Sequence, residues 1–315
     1  MKDLARRVSF SLATFVALAA VSFLGVDALP GDGCTALLGR FGSPAKVEAC
    51  RAENQLNNPV LVRLRDWSYD LARGDLGYSI KRDEQVLKII LPRLRNTAIM
   101  GAVAALLAFP SAIAVGLMLG HYPRSRIGRA INQLSVVAMT LPEFVIATML
   151  WLLLSIWIPL FPGVNVVPSN ATVLQLLPNV WLPALTLAAV IFAHAMRTMR
   201  ASVAIIQTMP FVESARLRGT KERVTIVRHI LPAALPPVVN VIAVDGAWLL
   251  TGTFVTEAVF NYQGLGRLAI DAISDRDTAL ILPIVLFGLA VYLAASLSAD
   301  MCVRLLDPRL RTAGQ

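Results

Sequence analysis

The sequence predicts an all-α integral membrane protein with six transmembrane helices, an outer helical cap and one long charged loop on the cytoplasmic side. Three observations carry this. Hydrophobic residues make up 56% of the 315-residue chain and its mean hydropathy is +0.65, well above ordinary soluble domains. The apolar residues gather into long runs, six of which approach the roughly 20 residues that a helix needs to cross a bilayer. Lys and Arg cluster between alternate runs, as the positive-inside rule requires.

The runs lie at 8–26, 97–120, 130–158, 180–196, 233–256 and 278–299. The fourth is short, with Pro183 near its start. The third is longer than a span needs, which predicts tilt or extension past the bilayer. Lys2, Arg6 and Arg7 precede the first run, and Arg124, Arg126 and Arg129 follow the second. Arg197, Arg200, Arg216, Arg218, Lys221, Arg223 and Arg228 lie between the fourth and fifth, and Arg304, Arg309 and Arg311 follow the last. Placing these clusters inside puts both termini in the cytoplasm. The 29–96 segment is also basic, but long segments translocate largely regardless of charge. The first run exceeds the apolar core of a signal peptide, so residues 1–28 read as a retained membrane anchor.

Three regions follow: the anchor at 1–28, an extracytoplasmic cap at 29–96 and a transmembrane domain at 97–315 with a loop at 201–232. The cap is polar, carries Trp67, Tyr69 and Tyr78, and is far longer than a simple connection. Short helices closing the outer face are the expectation. No internal repeat or low-complexity tract is evident. A formal net charge of +9 raises nucleic-acid binding, but no zinc-ligand spacing or basic–aromatic platform accompanies it.

Within the loop, the run Glu213–Pro232 reads ESARLRGTKERVTIVRHILP. Pro210 suits the first turn of a helix, where its missing N–H costs nothing. Gly219 supplies the bend that ends it, Thr220 can cap a second helix, and Pro232 closes that helix at the fifth span. Phe211, Val212, Ala215 and Leu217 then form a small apolar face rimmed by basic groups. Glu213 has two readings, a charge contact to another protein or a local partner of Arg216 or Arg218.

Two carboxylates fall inside spans. Asp245 lies near the middle of the fifth and Glu143 lies in the third, just after Leu141-Pro142. A charge facing lipid there costs about 3 kcal/mol or more, so both should face protein or a water-filled pathway. Asp245 either lines the pathway and favours cationic cargo or is a hydrogen-bonded structural acid. Glu143 has the same alternatives beside a candidate helix break. The topology puts Cys34 and Cys50 on the oxidising side and Cys302 at the inner end of the last span. It predicts a Cys34–Cys50 disulfide, with free buried thiols as the alternative. No metal-ligand grouping appears.

The loop resembles the EAA loop of binding-protein-dependent ABC importer permeases. Glu213-Ser214-Ala215 is followed by Gly219, then His229 and Leu231-Pro232; Ser214 stands for a small Ala. Arg228-His229-Ile230-Leu231 is similar to the form found in the dipeptide, oligopeptide and nickel branch, where the wider family has Ile in place of His229. Arg73-Gly74-Asp75-Leu76-Gly77-Tyr78-Ser79 resembles that branch's motif ahead of the second span. So do Glu257-Ala258-Val259-Phe260, Gly264-Leu265-Gly266-Arg267, Asp271-Ala272-Ile273 and Arg276-Asp277, and lastly Leu306-Asp307-Pro308-Arg309. Asp32-Gly33-Cys34 and Gln263 depart from the pattern, and neutral residues are usual at the places of Asp245 and Glu143.

The resemblance implies a peptide-type permease subunit lining half of a translocation pathway. Its coupling-helix loop would dock on a cytoplasmic ATPase through Phe211, Glu213, Ser214, Ala215 and Gly219, with His229, Leu231 and Pro232 completing the motif. The implied partners are a second permease, two ATPase subunits and an extracytoplasmic binding protein. ATP and Mg would bind those ATPases, since no G-x-x-x-x-G-K-[ST] loop exists in this chain. Nickel chelates, glutathione or another small solute are alternative cargoes. A membrane enzyme is disfavoured because His121, His194 and His229 are dispersed and no catalytic motif is present. A secondary transporter would need inverted repeats and no ATPase dock.

Overall fold

The computed structural model describes residues 2–28, 31–38, 42–123, 125–251 and 253–306. It is helical apart from one short hairpin. The elements, in order, are α1 (Lys2–Asp27), α2 (Gly33–Leu38), α3 (Pro44–Glu53), α4 (Val60–Ala72), β1 (Tyr78–Ser79), β2 (Glu84–Gln85) and α5 (Val86–His121). Next come α6 (Arg126–Thr140), α7 (Glu143–Trp151) with a π-helical extension Leu152–Trp157, and α8 (Val173–Ile206). Then follow α9 (Pro210–Leu217), α10 (Glu222–Thr225), a π turn Ile226–Ile230, α11 (Leu231–Thr251), α12 (Phe254–Val259), α13 (Leu265–Ser274) and α14 (Thr278–Leu306).

Five of these stretches are long and apolar enough to cross a membrane, and a sixth span arises if α6 and α7 with its extension are counted together. That pair corrects the continuous third span expected at 130–158, because its halves are bent by 115°. Pro142 is the physical cause. It disfavours helical geometry in the preceding residue, and Leu141 is extended at ψ 136°. The fourth span is longer than expected: α8 runs for 34 residues through Pro178 and Pro183. The fifth also differs. Pro232 does not close a separate helix, and Glu222–Leu249 is one 28-residue span entered through the π turn. The helix α11 ends at Thr251, short of the 256 expected.

The chain packs as two compact units. One comprises Met1–Thr97, Val167–Thr172 and Gln263–Leu293. Here the 29–96 segment shares a unit with α1, α13 and the start of α14. Val86, Ile90, Leu265, Leu268, Ala272, Leu280 and Ile284 form its buried core, with Leu76 and Val26 packed against it. The Phe23 and Trp67 rings meet at 5.3 Å, and Arg63 pairs with Asp27, fastening α4 to α1. Cys34 and Cys50 are disulfide-bonded, joining α2 to α3. The Arg73–Ser79 motif carries the chain from the end of α4 into the hairpin, with Gly74 at φ +82° and Gly77 at φ +86°, conformations that only glycine adopts freely.

The other unit comprises Ala98–Val166, Val173–Tyr262 and Ala294–Gln315. Its core is built around α8, which packs on α5, α6, α7 and α11. Gly116 and Gly120 let α5 lie close on α8: a Cβ on Gly116 would sit 2.7 Å from the Met196 carbonyl, and one on Gly120 2.6 Å from Val203 Cβ. Small residues serve close helix approach in the same way throughout membrane proteins. Asp307, Pro308 and Arg309 of the last motif lie outside the described residues, as do the side chains of Asp300, Cys302 and Arg304.

A candidate coupling loop and two carboxylates within the spans

α9 begins where the sequence placed it, with Pro210 in the first turn and Met209 extended before it. Its end is a Schellman motif: Gly219 N–H donates to the Arg216 carbonyl at 2.9 Å and Thr220 N–H to the Ala215 carbonyl at 3.3 Å. Such a closure needs the left-handed position, and Gly219 has φ +76°. Nothing lies within 4 Å of a Cβ built there, so the requirement for glycine within this chain is conformational rather than steric. The expected Thr220 cap is not made. Lys221 precedes α10, without a side-chain cap bond.

The two faces of α9 are sharply different. Val212 and Ala215 are fully buried. Val212 packs with Met199, Val203, Ile230, Ala234 and Val238, against which Ile113, Leu117 and Leu231 are also packed. Ala215 therefore faces this chain's own interior and does not join Phe211 in an outward apolar patch, which corrects the face drawn from sequence. Pro210, Glu213, Ser214 and Leu217 are exposed at helical spacing, together with Phe211. Leu217 is 83% exposed. Glu213 makes no ion pair with Arg216 or Arg218. Arg216 instead donates to Glu222 at 2.9 Å. His229 is partly buried in the π turn, and Pro232 is exposed in the first turn of α11.

Among the described residues, each carboxylate inside the spans meets a polar side chain of another helix. His194 Nδ1 of α8 lies 3.1 and 3.2 Å from the two carboxylate oxygens of Asp245 on α11. The aspartate side chain is 14% exposed and the imidazole 46%. Glu143 sits at the first position of α7, directly after the break, and accepts a hydrogen bond from Thr256 Oγ1 of α12. A carboxylate at a helix N-terminus is electrostatically favourable, and non-helical backbone at membrane depth is tolerated only within protein or beside a water-filled cavity.

Sequence reasoning did not find His194, whose partner is 51 residues away, nor the contact of His121 Nε2 with Glu222 Oε1 at 3.3 Å. It also missed Asn96, which donates to the carbonyls of Ser169 at 3.0 Å and Gln263 at 2.9 Å. No sequence spacing signals such long-range pairs. Among the described residues, no group of three or more His, Cys, Asp or Glu side chains is placed to hold a metal.

Residues 112–312 match the family described as "Binding-protein-dependent transport system inner membrane component". The chain is 28% identical over 308 residues to an oligopeptide transport system permease protein, AppB, of Bacillus subtilis, covering 97% of this chain and 98% of that protein. It is likewise 28% identical to a glutathione transport system permease protein, GsiC, of Pectobacterium atrosepticum, covering 97% of each. The fold is similar to a chain of the inward-facing MetNI methionine ABC transporter, with a TM-score of 0.58 and 15% identity over 70% of this chain and 97% of that one.

Proposed function

The chain belongs to the family of binding-protein-dependent transport system inner membrane components, and from that membership we propose that it is the permease subunit of an ATP-driven importer for peptides. Members of this family are multi-pass inner membrane proteins and transport subunits, not catalysts, and they work with ATPase and binding-protein partners. The finer statements are our reading. A second permease subunit completes the pathway, and both termini lie in the cytoplasm. Two ATPase subunits carry ATP and Mg, and α9 docks on one of them through Phe211, Glu213, Ser214 and Leu217. Ala215 supports that face from behind, Gly219 bends the chain away from it, and His229, Leu231 and Pro232 join it to α11. No nucleic acid is involved.

The observation that carries peptide cargo is the match over 97% of the chain to transporters named for oligopeptides and glutathione. These cargoes share a free ammonium group. Asp245, held 3.1 Å from the partly exposed His194, is a carboxylate suited to receive it, and Glu143 at the helix break is a second acidic position in the pathway. We expect Asp245→Asn to lower uptake of a free tripeptide several-fold more than uptake of its N-acetylated form. Equal losses for both would leave Asp245 a structural acid. Mass spectrometry of what the co-purifying binding protein holds tests the cargo class itself; a non-peptide solute there would overturn it.

A further inference from the structure

The cytoplasmic end of α5 is joined to the loop that carries α9, although the two are remote in sequence. Gln207 Nε2, just ahead of α9, donates to the Gly120 carbonyl at 3.1 Å. That carbonyl belongs to the last turn of α5, where helix carbonyls lack intrahelical donors, so Gln207 caps α5 from outside. Glu222, just beyond α9, receives two groups on one carboxylate oxygen: Arg216 Nη2 of α9 at 2.9 Å and His121 Nε2 at the end of α5 at 3.3 Å.

The imidazole is set for this contact. Its side chain is 9% exposed, and its Nδ1 is buried with no hydrogen-bond partner among the described residues. A proton on Nε2 faces the carboxylate favourably, which leaves Nδ1 as a bare acceptor in the neutral ring. Buried polar atoms without partners are rare in folded chains. The ring is therefore placed for its Nε2 contact while its other nitrogen goes unsatisfied. Beneath these ties, Val212 of α9 packs in one cluster with Ile113 and Leu117 of α5, and Gly116 and Gly120 hold α5 tightly on α8.

We propose that Glu222 and Gln207 are positioning residues that make the inner end of α5 a third anchor of the coupling helix, beside its covalent links to α8 and α11. This rests on the reading of α9 as the ATPase dock. A push on α9 then reaches α5 through the Glu222–His121 contact and the Gln207 cap, so three spans move together. With both ties cut, α9 still follows the ATPase through α8 and α11 while the end of α5 lags.

Hydrogen–deuterium exchange of the whole transporter, nucleotide-free and trapped with ATP and vanadate, reads this without knowledge of the cargo. In the wild type, peptides covering 210–217 and 118–122 should both change exchange on trapping. In the Gln207→Ala, Glu222→Ala double variant, the change at 210–217 should persist while that at 118–122 falls about fivefold, the scale of losing contacts of this kind. Glu222→Ala alone carries the test if the double variant does not assemble. The swap Arg216→Glu with Glu222→Arg rebuilds the 216–222 pair but sets a donor against the His121 N–H, so it should leave the response at 118–122 as weak as Glu222→Ala does. A wild-type response confined to 210–217, or one at 118–122 that both variants leave intact, overturns the third anchor and spares the dock. No response at 210–217 in the wild type overturns the dock and the anchor together.

Discussion

Substitution of Gly219 separates a conformational requirement from a steric one. The residue closes α9 at φ +76°, and a Cβ there meets nothing within 4 Å. A side chain thus costs only what an L-residue pays to enter the left-handed region, about 1–2 kcal/mol. Asn enters it more readily than other L-residues. Ala should cost about 1 kcal/mol and Val the upper end of that range or more, because its branched Cβ restricts the backbone further. If α9 must be presented in this geometry, the population of competent loops falls about fivefold for Ala and about thirtyfold or more for Val. It falls less for Asn. Detergent-solubilised assemblies would be scored for the fraction of ATPase subunits co-eluting with each variant, and for ATP-dependent peptide uptake after reconstitution. The order glycine, Asn, Ala, Val in both assays is the expected result. Equal losses for all three would refute the conformational argument and place Gly219 against a partner surface that excludes any side chain.

Two further outcomes follow from the unit that holds the cap segment. The Cys34–Cys50 bond closes a sequence separation of 16 residues, for which the chain-entropy treatment gives about 3 kcal/mol; Cys34→Ser with Cys50→Ser should lower the thermal midpoint of this unit, and an unchanged midpoint would show that the bond adds nothing. Asp277 is buried, which pushes its carboxyl above the ordinary value despite the Ser79 hydroxyl, the Leu280 N–H and nearby Arg82. Below the ordinary carboxylate value the acid is protonated in both folded and unfolded chains. As pH rises from there to the raised folded value, the unfolded chain ionises while the folded chain keeps its proton, so stability falls across that window and levels off once the folded chain ionises too. Asp277→Asn should flatten this decline and be the more stable protein on its alkaline side; parallel melting curves from pH 4 to pH 8 would contradict that.

The spans and the loop were legible because they depend on short-range rules. Runs of apolar residues fix helices of bilayer length, and Pro210 and Gly219 bracket α9 by local backbone chemistry alone. Pro142 was visible too, but whether a proline kinks a helix or breaks it depends on what receives the freed backbone groups, and here α12 brings Thr256 to Glu143. The orientation of Ala215 was lost for a similar reason. The apolar residues of α9 identify a contact face, but only the packing of α5, α8 and α11 decides that Val212 and Ala215 turn inward while Phe211 and Leu217 stay exposed. Pro232 misled because proline in the first turn of a helix is compatible with continuation, and the π turn at Ile226–Ile230 joins α10 to α11 without a break. Pairs such as His194 with Asp245 depend on which helices pack together, and that is written in no local pattern.

The central claim is that this permease moves only when a nucleotide-hydrolysing partner grips the exposed face of α9. Glu213 is exposed there and makes no ion pair among the described residues, so Glu213→Lys leaves the fold of this chain intact while reversing the charge presented. The decisive measurement is peptide uptake into proteoliposomes holding both permeases and the ATPases, with binding protein and ATP, for wild type and Glu213→Lys. The account predicts ATP-dependent accumulation in the wild type, with loss of both accumulation and ATPase co-elution in the variant. Normal accumulation by the variant, or accumulation by the permeases alone without ATPase subunits, would contradict it.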